Sequence, residues 1–221
     1  MNKLNHIAFI MDGNGRWGKN KNKGRNYGHL KGVETVKKIV GSSIKLKIPF
    51  ITFFVFSSEN WKRPKTEIKF LFKLIKNYFH KEIDNVVKQG IKINILGEIN
   101  GLPSDLKKIL IKCENLTKTN KNINVNLAIN YGAKNEILMA VKKSKKLSMK
   151  NLEKNLYTKN MPNPEILIRT GGNQRLSNFM LWQLAYTELF FLKKLWPDLK
   201  STDLKNIIKK FKSIKRNYGA I

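Results

Sequence analysis

A chain of 221 residues with 41% hydrophobic and 10% aromatic content can bury a core as one enzyme-sized domain spanning 1–221, without disulfides or a structural metal. The single Cys113 excludes an internal disulfide, the three histidines at 6, 29 and 80 show no zinc-ligand spacing, and no stretch nears the roughly 20 apolar residues that cross a bilayer. The net charge of +29 admits nucleic acid, an anionic membrane or anionic substrates as partners, yet most of the excess is Lys spread over helical patterns amid frequent Asn, which reads as composition and a solvated surface.

The first residues, MNKLNHIAFIMDG, hold too short an apolar run for a secretory leader, and one unpaired cysteine suits a reducing compartment, so a cytoplasmic, soluble or peripheral protein is expected. Six short β-branched or aromatic runs read as strands: 6–11, 51–57, 91–97, 123–130, 165–169 and 188–192. Helical periodicity fills 29–46, 66–89, 103–119, 133–147, 150–157 and 201–217. Alternation of this kind predicts an α/β domain: a mostly parallel six-stranded sheet flanked by helices.

After the first strand comes MDGNGRWGK, in which Gly13, Gly15 and Gly18 spell G-x-G-x-x-G. A dinucleotide fingerprint also needs an acidic residue near a second strand end about 20 positions on, and Glu34, at that offset, lies within the helical pattern LKGVETVKKIV. Arg16 and Trp17 fill positions that close backbone approach would keep small. Asp12 is more informative. A carboxylate before a phosphate-holding loop repels the ligand unless a divalent cation lies between them, so Asp12 reads as a ligand of magnesium diphosphate, with a turn or N-cap role as the alternative. Asn14, Arg16, Arg25 and His29 add donors to the same segment.

The second strand is followed by SSENWKRP, where Ser57, Asn60, Trp61 and Arg63 supply polar groups and an aromatic wall. The helical stretch from 66 to 89 carries Ile68, Leu71, Phe72, Ile75, Phe79, Ile83 and Val86 on one stripe, widened by Phe70, Leu74 and Tyr78. It is either an ordinary core helix or, in part, the wall of a cleft for a long apolar ligand. After the strand EILI comes RTGGNQRLSN, whose Arg169, Arg175 and Ser177 surround a glycine pair and suit a second anion. Strand ends in a parallel sheet share a rim, so the three loops are expected to converge. Two diphosphate sites beside an apolar cleft suggest transfer of a hydrocarbon from one diphosphate to a second substrate that keeps its own. No Ser-His-Asp set or P-loop offers another chemistry.

HIAFIMDGNGRWGK, FFVFSSENWKRPKTEI, INYGAKNEI and IRTGGNQRLSNFMLWQLAYTELFFLKKLWPD resemble, in order and spacing, the motifs of the cis-prenyltransferases, over essentially the whole chain. The resemblance implies a homodimer with a hydrophobic tunnel. The implied reaction is magnesium-dependent condensation of isopentenyl diphosphate onto an allylic diphosphate such as farnesyl diphosphate, repeated to a polyprenyl diphosphate of undecaprenyl length, the lipid-carrier precursor for cell-wall synthesis. By the same resemblance Asp12 and Asn60 are catalytic. Gly13, Asn14, Gly15, Arg16, Trp17, Arg25, His29, Ser57, Ser58, Glu59, Trp61, Arg63, Glu67, Arg169, Arg175 and Ser177 bind substrate, while Asp12 and Glu188 hold Mg2+, Glu188 across the dimer. Loose membrane contact for product release is expected and nucleic acid is not. Asn173 and Gln174 stand where the family commonly has an acidic residue and His, so the resemblance does not carry a metal or proton-transfer role over to those two positions.

Overall fold

A computed structural model describes residues 2–216 of the chain. The six strands are β1 (His6–Ile10), β2 (Phe50–Ser57), β3 (Ile91–Leu96), β4 (Ile123–Tyr131), β5 (Ile166–Arg169) and β6 (Glu188–Phe191). They form one sheet in the order β3-β4-β2-β1-β5-β6, and every neighbouring pair is parallel. Each strand lies within two residues of its expected bounds.

The helices are α1 (Asn14–Asn20), α2 (Gly24–Lys45), α3 (Lys65–Lys88), α4 (Ser104–Thr117), α5 (Ala133–Lys143), α6 (Met149–Glu153) and α7 (Ser201–Ser213). Several helix bounds differ from the expectation, α5 ending at Lys143 rather than 147 and α6 at Glu153 rather than 157. The glycine-rich stretch after β1 is a short helix, α1, rather than an open loop. Helix α2 begins five residues earlier than its apolar periodicity does, because its first turn carries Arg25 and Tyr27 outside the apolar stripe. Helix α7 ends at Ser213, and the predicted continuation to 217 falls partly outside the described residues.

Alternation along the strands divides the core between the two faces of the sheet. Ile7 and Phe9 of β1, with Ile51 and Phe53 of β2, face the layer that contains α2, α3, α4 and α7, and Trp196 packs edge-on against both phenylalanines. Ala8 and Ile10 face the other layer, where Tyr131, Phe179 and Met180 pack. On that second face a polar row crosses four strands. Asn94 donates to Asn126 and Asn126 to Thr52, each at 2.9 Å. The Thr52 hydroxyl is 2.6 Å from Nε2 of the fully buried His6, whose Nδ1 is 2.7 Å from the Pro162 carbonyl oxygen. The Pro162 carbonyl can only accept, so Nδ1 carries the proton, and burial disfavours a second one, which leaves Nε2 to accept from the Thr52 hydroxyl. Burial pulls its pKa down to about 4.

Among the described residues no helix is long and apolar enough to cross a membrane.

Candidate active site

Parallel pairing sets Ile10 level with Phe54 and Arg169, so the segments after β1, β2 and β5 meet on one rim. Asp12 is fixed there by its backbone, whose carbonyl accepts from the Thr170 hydroxyl at 2.8 Å and the Trp196 N–H at 3.1 Å. Its carboxylate gathers three donors. Oδ2 accepts from Arg169 Nη2 and Asn173 Nδ2, each at 2.9 Å, and Oδ1 accepts from Arg16 Nη2 at 3.2 Å. Burial pushes the carboxyl up, but the bonds from Asn173 and Arg169, with the charges of Arg169 and Arg16, outweigh it and hold Asp12 below the usual carboxylate range.

The glycines of the opening motif serve local geometry. Gly13 turns the chain into α1 at φ 106°, where a side chain would be strained and would also meet Leu195 at 2.7 Å. A Cβ on Gly18 would stand 2.0 Å from the Gly24 carbonyl, so Gly18 lets α1 lie tight against α2. That packing brings Arg16 and Arg25 to the two sides of one recess of about 110 Å3, lined by Asp12, Gly13, Asn14, Gly15, Arg16, Arg25, His29 and Arg63. The buried Glu67 on α3 anchors its cations. It accepts from Arg25 at 3.0 and 3.1 Å and from Arg63 at 3.1 Å, and lies 3.3 Å from His29 Nε2. Burial raises the Glu67 carboxyl, yet Arg25, Arg63 and His29 bring it below its ordinary range. Burial also lowers the pKa of His29, against the pull of Glu67.

A larger cavity of about 670 Å3 adjoins the recess, with Asp12, Asn14, His29 and Arg63 lining both. Ser57, Glu59, Asn60, Arg169, Arg175, Ser177 and Asn178 complete its polar side. Arg169 donates to the Ser177 hydroxyl at 2.8 Å and to the Arg175 carbonyl, while its buried Nε has no partner among the described residues. Gly171 takes φ 88°, where a Cβ would meet Arg16 at 2.5 Å, and Arg16 donates to the Gly171 carbonyl at 2.8 Å. The two cationic loops are thereby locked to one another. Ser177, Asn178 and Met180 all hold positive φ, and such strain gathers where a site must be fixed in advance.

From the larger cavity an apolar extension of about 120 Å3 passes between α2, α3 and the sheet. Val33 and Val36 of α2 and Leu71, Leu74, Ile75, Tyr78 and Phe79 of α3 form its walls, with Trp196 beside them. The surplus residues Leu74 and Tyr78 therefore line a cleft, while Phe70 lies outside it.

Several expected residues take other places. Trp17 stacks on Tyr27 and donates to Asp198 at 2.7 Å, tying α1 to the turn at Trp196–Asp198. Trp61 donates to Asn130 at 2.8 Å and packs edge-on against Phe56 and Phe72. The Asn60 side chain lines the cavity but also accepts from the Ser57 N–H at 3.1 Å, closing the turn at Ser58–Lys62, and Ser58 stands beside Gly132. Glu188 opens β6 level with Ile166 and Ile7, at the strand end remote from Asp12 of its own chain, and pairs with Arg216 at 3.4 Å.

Two participants escaped the sequence reading. Asn173, read as a lost acidic position, holds Asp12. Asn178 donates to Glu59 at 2.8 Å and accepts from the Lys134 N–H at 2.9 Å, joining the second and third loops to α5. Its place in RTGGNQRLSN, one residue past Ser177, was the available signal.

Two cationic recesses that share one carboxylate, at the mouth of an apolar cleft, define a prenyltransferase, an enzyme that moves a hydrocarbon chain between diphosphates. The chain belongs to the family whose model, described as "putative undecaprenyl diphosphate synthase", matches residues 10–219. It is 42% identical to the isoprenyl transferase of Helicobacter pylori strain 26695, over 100% of this chain and 98% of that one. It is 40% identical to that of Clostridium tetani, over 98% and 89%. Among solved structures, lavandulyl diphosphate synthase from Lavandula x intermedia, in complex with dimethylallyl diphosphate, superposes with a TM-score of 0.93 at 31% identity, covering 98% of each chain. A "probable undecaprenyl diphosphate synthase" from Campylobacter jejuni superposes at 0.85 and 34% identity, covering all of both chains.

Proposed function

We propose that the protein condenses isopentenyl diphosphate onto an allylic diphosphate, with farnesyl diphosphate as starter, in repeated cis additions that lead to undecaprenyl diphosphate. The observation that carries this reading is the sharing of Asp12 between the two cationic recesses, next to an apolar cleft walled by α2 and α3. The bound dimethylallyl diphosphate of the lavandulyl diphosphate synthase relative supports an allylic diphosphate as one ligand.

The donor set fits magnesium in one form. Asp12 stands among cationic and amide donors, and among the described residues no three His, Cys, Asp or Glu side chains cluster as a metal cage. One carboxylate suits Mg2+ that brings phosphate oxygens as its other ligands. When bound, the ion would neutralise charge on the departing diphosphate. Arg16, Arg25, His29 and the turn at Gly13 that opens α1 hold that diphosphate in the smaller recess, with its chain running along α3. Arg169, Arg175 and Ser177 hold isopentenyl diphosphate in the larger one, and Asn60 and Glu59 border the space between. The allylic C–O bond breaks as cationic character develops at that carbon, the homoallylic double bond attacks it, and a proton leaves the newly joined unit. The product keeps the second diphosphate. Preset cations and dipoles aimed at the leaving group provide electrostatic catalysis without reorganisation.

The homodimer belongs to the same proposal. The edge strand β6 carries Leu189, 44% exposed, which supports β6 as part of the dimer face. Glu188 would then act towards a partner's metal. The proposed location is cytoplasmic. The test is incubation with farnesyl diphosphate, labelled isopentenyl diphosphate and Mg2+, with sizing of the lipid products.

A further inference from the structure

Residues 142–150, KKSKKLSMK, hold five lysines and no acidic residue. They span the end of α5, the link to α6 and the first turn of α6. Leu147 and Met149 are 73% and 70% exposed, the highest values of any large apolar residue described. Lys142, Lys143, Lys145, Lys146 and Lys150 are all exposed, and none forms an ion pair within 4.0 Å among the described residues.

The fold does not need these two apolar side chains where they are. Ser148 caps α6, accepting from the Asn151 N–H at 3.3 Å, and Leu152 buries itself with Ala140 and Leu156. Leu147 precedes the cap, the position from which an apolar residue usually staples onto the fourth helical residue, here Leu152. It is solvent-exposed instead. Two apolar tips therefore project from a concentrated cationic segment at a cost in both self-repulsion and exposed hydrocarbon.

We infer that the loop 142–150 seats the protein on an anionic lipid surface, its lysines at the headgroups and Leu147 and Met149 at the acyl boundary. Charge complementarity selects the partner, since basic residues beside exposed apolar ones match the layered chemistry of a membrane interface. Single-stranded nucleic acid would call for stacking aromatics or arginines, and 142–150 contains neither. Topology is compatible with turnover. Helix α5 starts at the active-site rim, where Ala133 donates to the Asn178 carbonyl, and its 11 residues carry the chain roughly 16 Å away, so docking leaves the substrate cavity open. The inference rests on the loop alone and does not depend on the proposed reaction.

The experiment is co-sedimentation of the full chain with phosphatidylcholine vesicles, with and without phosphatidylglycerol, at low and high salt. Wild type should bind only the anionic vesicles and be released by salt. K142Q/K143Q/K145Q/K146Q should weaken binding roughly a hundredfold or more, at about fivefold per charge. L147S/M149S, with charge unchanged, should weaken it about tenfold while leaving the salt dependence. Thermal melting, and prenyl transfer from soluble substrates without vesicles, should be unaltered in both variants. Absence of vesicle binding by wild type, or binding by L147S/M149S equal to wild type, overturns the inference. So does loss of RNA-oligonucleotide binding in the lysine variant with vesicle binding intact, which would assign the loop to nucleic acid.

Discussion

Arg169 Nη2 donates to Asp12 Oδ2 at 2.9 Å, and the same guanidinium reaches the Ser177 hydroxyl through Nη1 at 2.8 Å. One nearly buried side chain, 4% exposed, thus joins the carboxylate of the first recess to the hydroxyl of the second. On the proposed reaction this fork links the two diphosphate sites with a planar geometry that a lysine cannot reproduce. Arg169→Lys should raise KM for isopentenyl diphosphate at least about tenfold and lower kcat as well, because Asp12 loses a partner too. Steady-state kinetics with each substrate varied in turn will show it. An effect confined to the allylic substrate would contradict the shared role.

Asn173 gives Asp12 a neutral donor. Asn173→Asp puts a second carboxylate at the site, which repels Asp12 and attracts a divalent cation. The magnesium concentration for half-maximal rate should fall several-fold, with isopentenyl diphosphate binding weakened. Magnesium titration of wild type and variant measures this, and an unchanged titration would place the metal away from Asp12.

His6 ties stability to pH. Its pKa is about 4 in the fold against an ordinary 6.5, so between these limits the unfolded chain binds the extra proton and stability rises with pH. Acidification from 6.5 to 4 should therefore cost roughly 3 kcal/mol from this residue alone. Urea unfolding of wild type and His6→Asn across that window isolates the term from other titrating groups. The variant should be weaker at neutral pH, and its stability should decline less towards acid.

On the proposed reaction, the apolar extension is the room for the growing chain. Leu74→Trp adds bulk within its α3 wall and should shorten the products, whereas Tyr78→Ala should lengthen them at a stability cost of about 2 to 4 kcal/mol. Reversed-phase sizing of the dephosphorylated lipids reports both.

The architecture was readable because each apolar strand run stops at a polar, glycine-bearing segment, and parallel topology then forces those segments together. What eluded the sequence depends on long-range geometry. Helix α1 contains Gly15 and Gly18, residues of low helix propensity, and exists because Gly18 fits against Gly24 and Gly13 can take φ 106°. Asn173 looked like a deficit because its value lies in a donor 161 residues away in sequence from its acceptor. The contacts of Trp17 with Tyr27 and Asp198 likewise come from distant segments and helical phase, which the motif alone does not reveal. The polar row from Asn94 to His6 comes from four separate strands, and no local pattern announces it.

The most direct test of the central claim is prenyl transfer by Asp12→Ala beside wild type, with farnesyl diphosphate, labelled isopentenyl diphosphate and Mg2+. Wild type should make chelator-sensitive long-chain lipid, and the variant, folded by its melting curve, should lose about two to three orders of magnitude in kcat. Wild-type turnover that survives chelation, or a variant that retains most of its rate, would contradict the assignment of Asp12 as the carboxylate shared by two diphosphates.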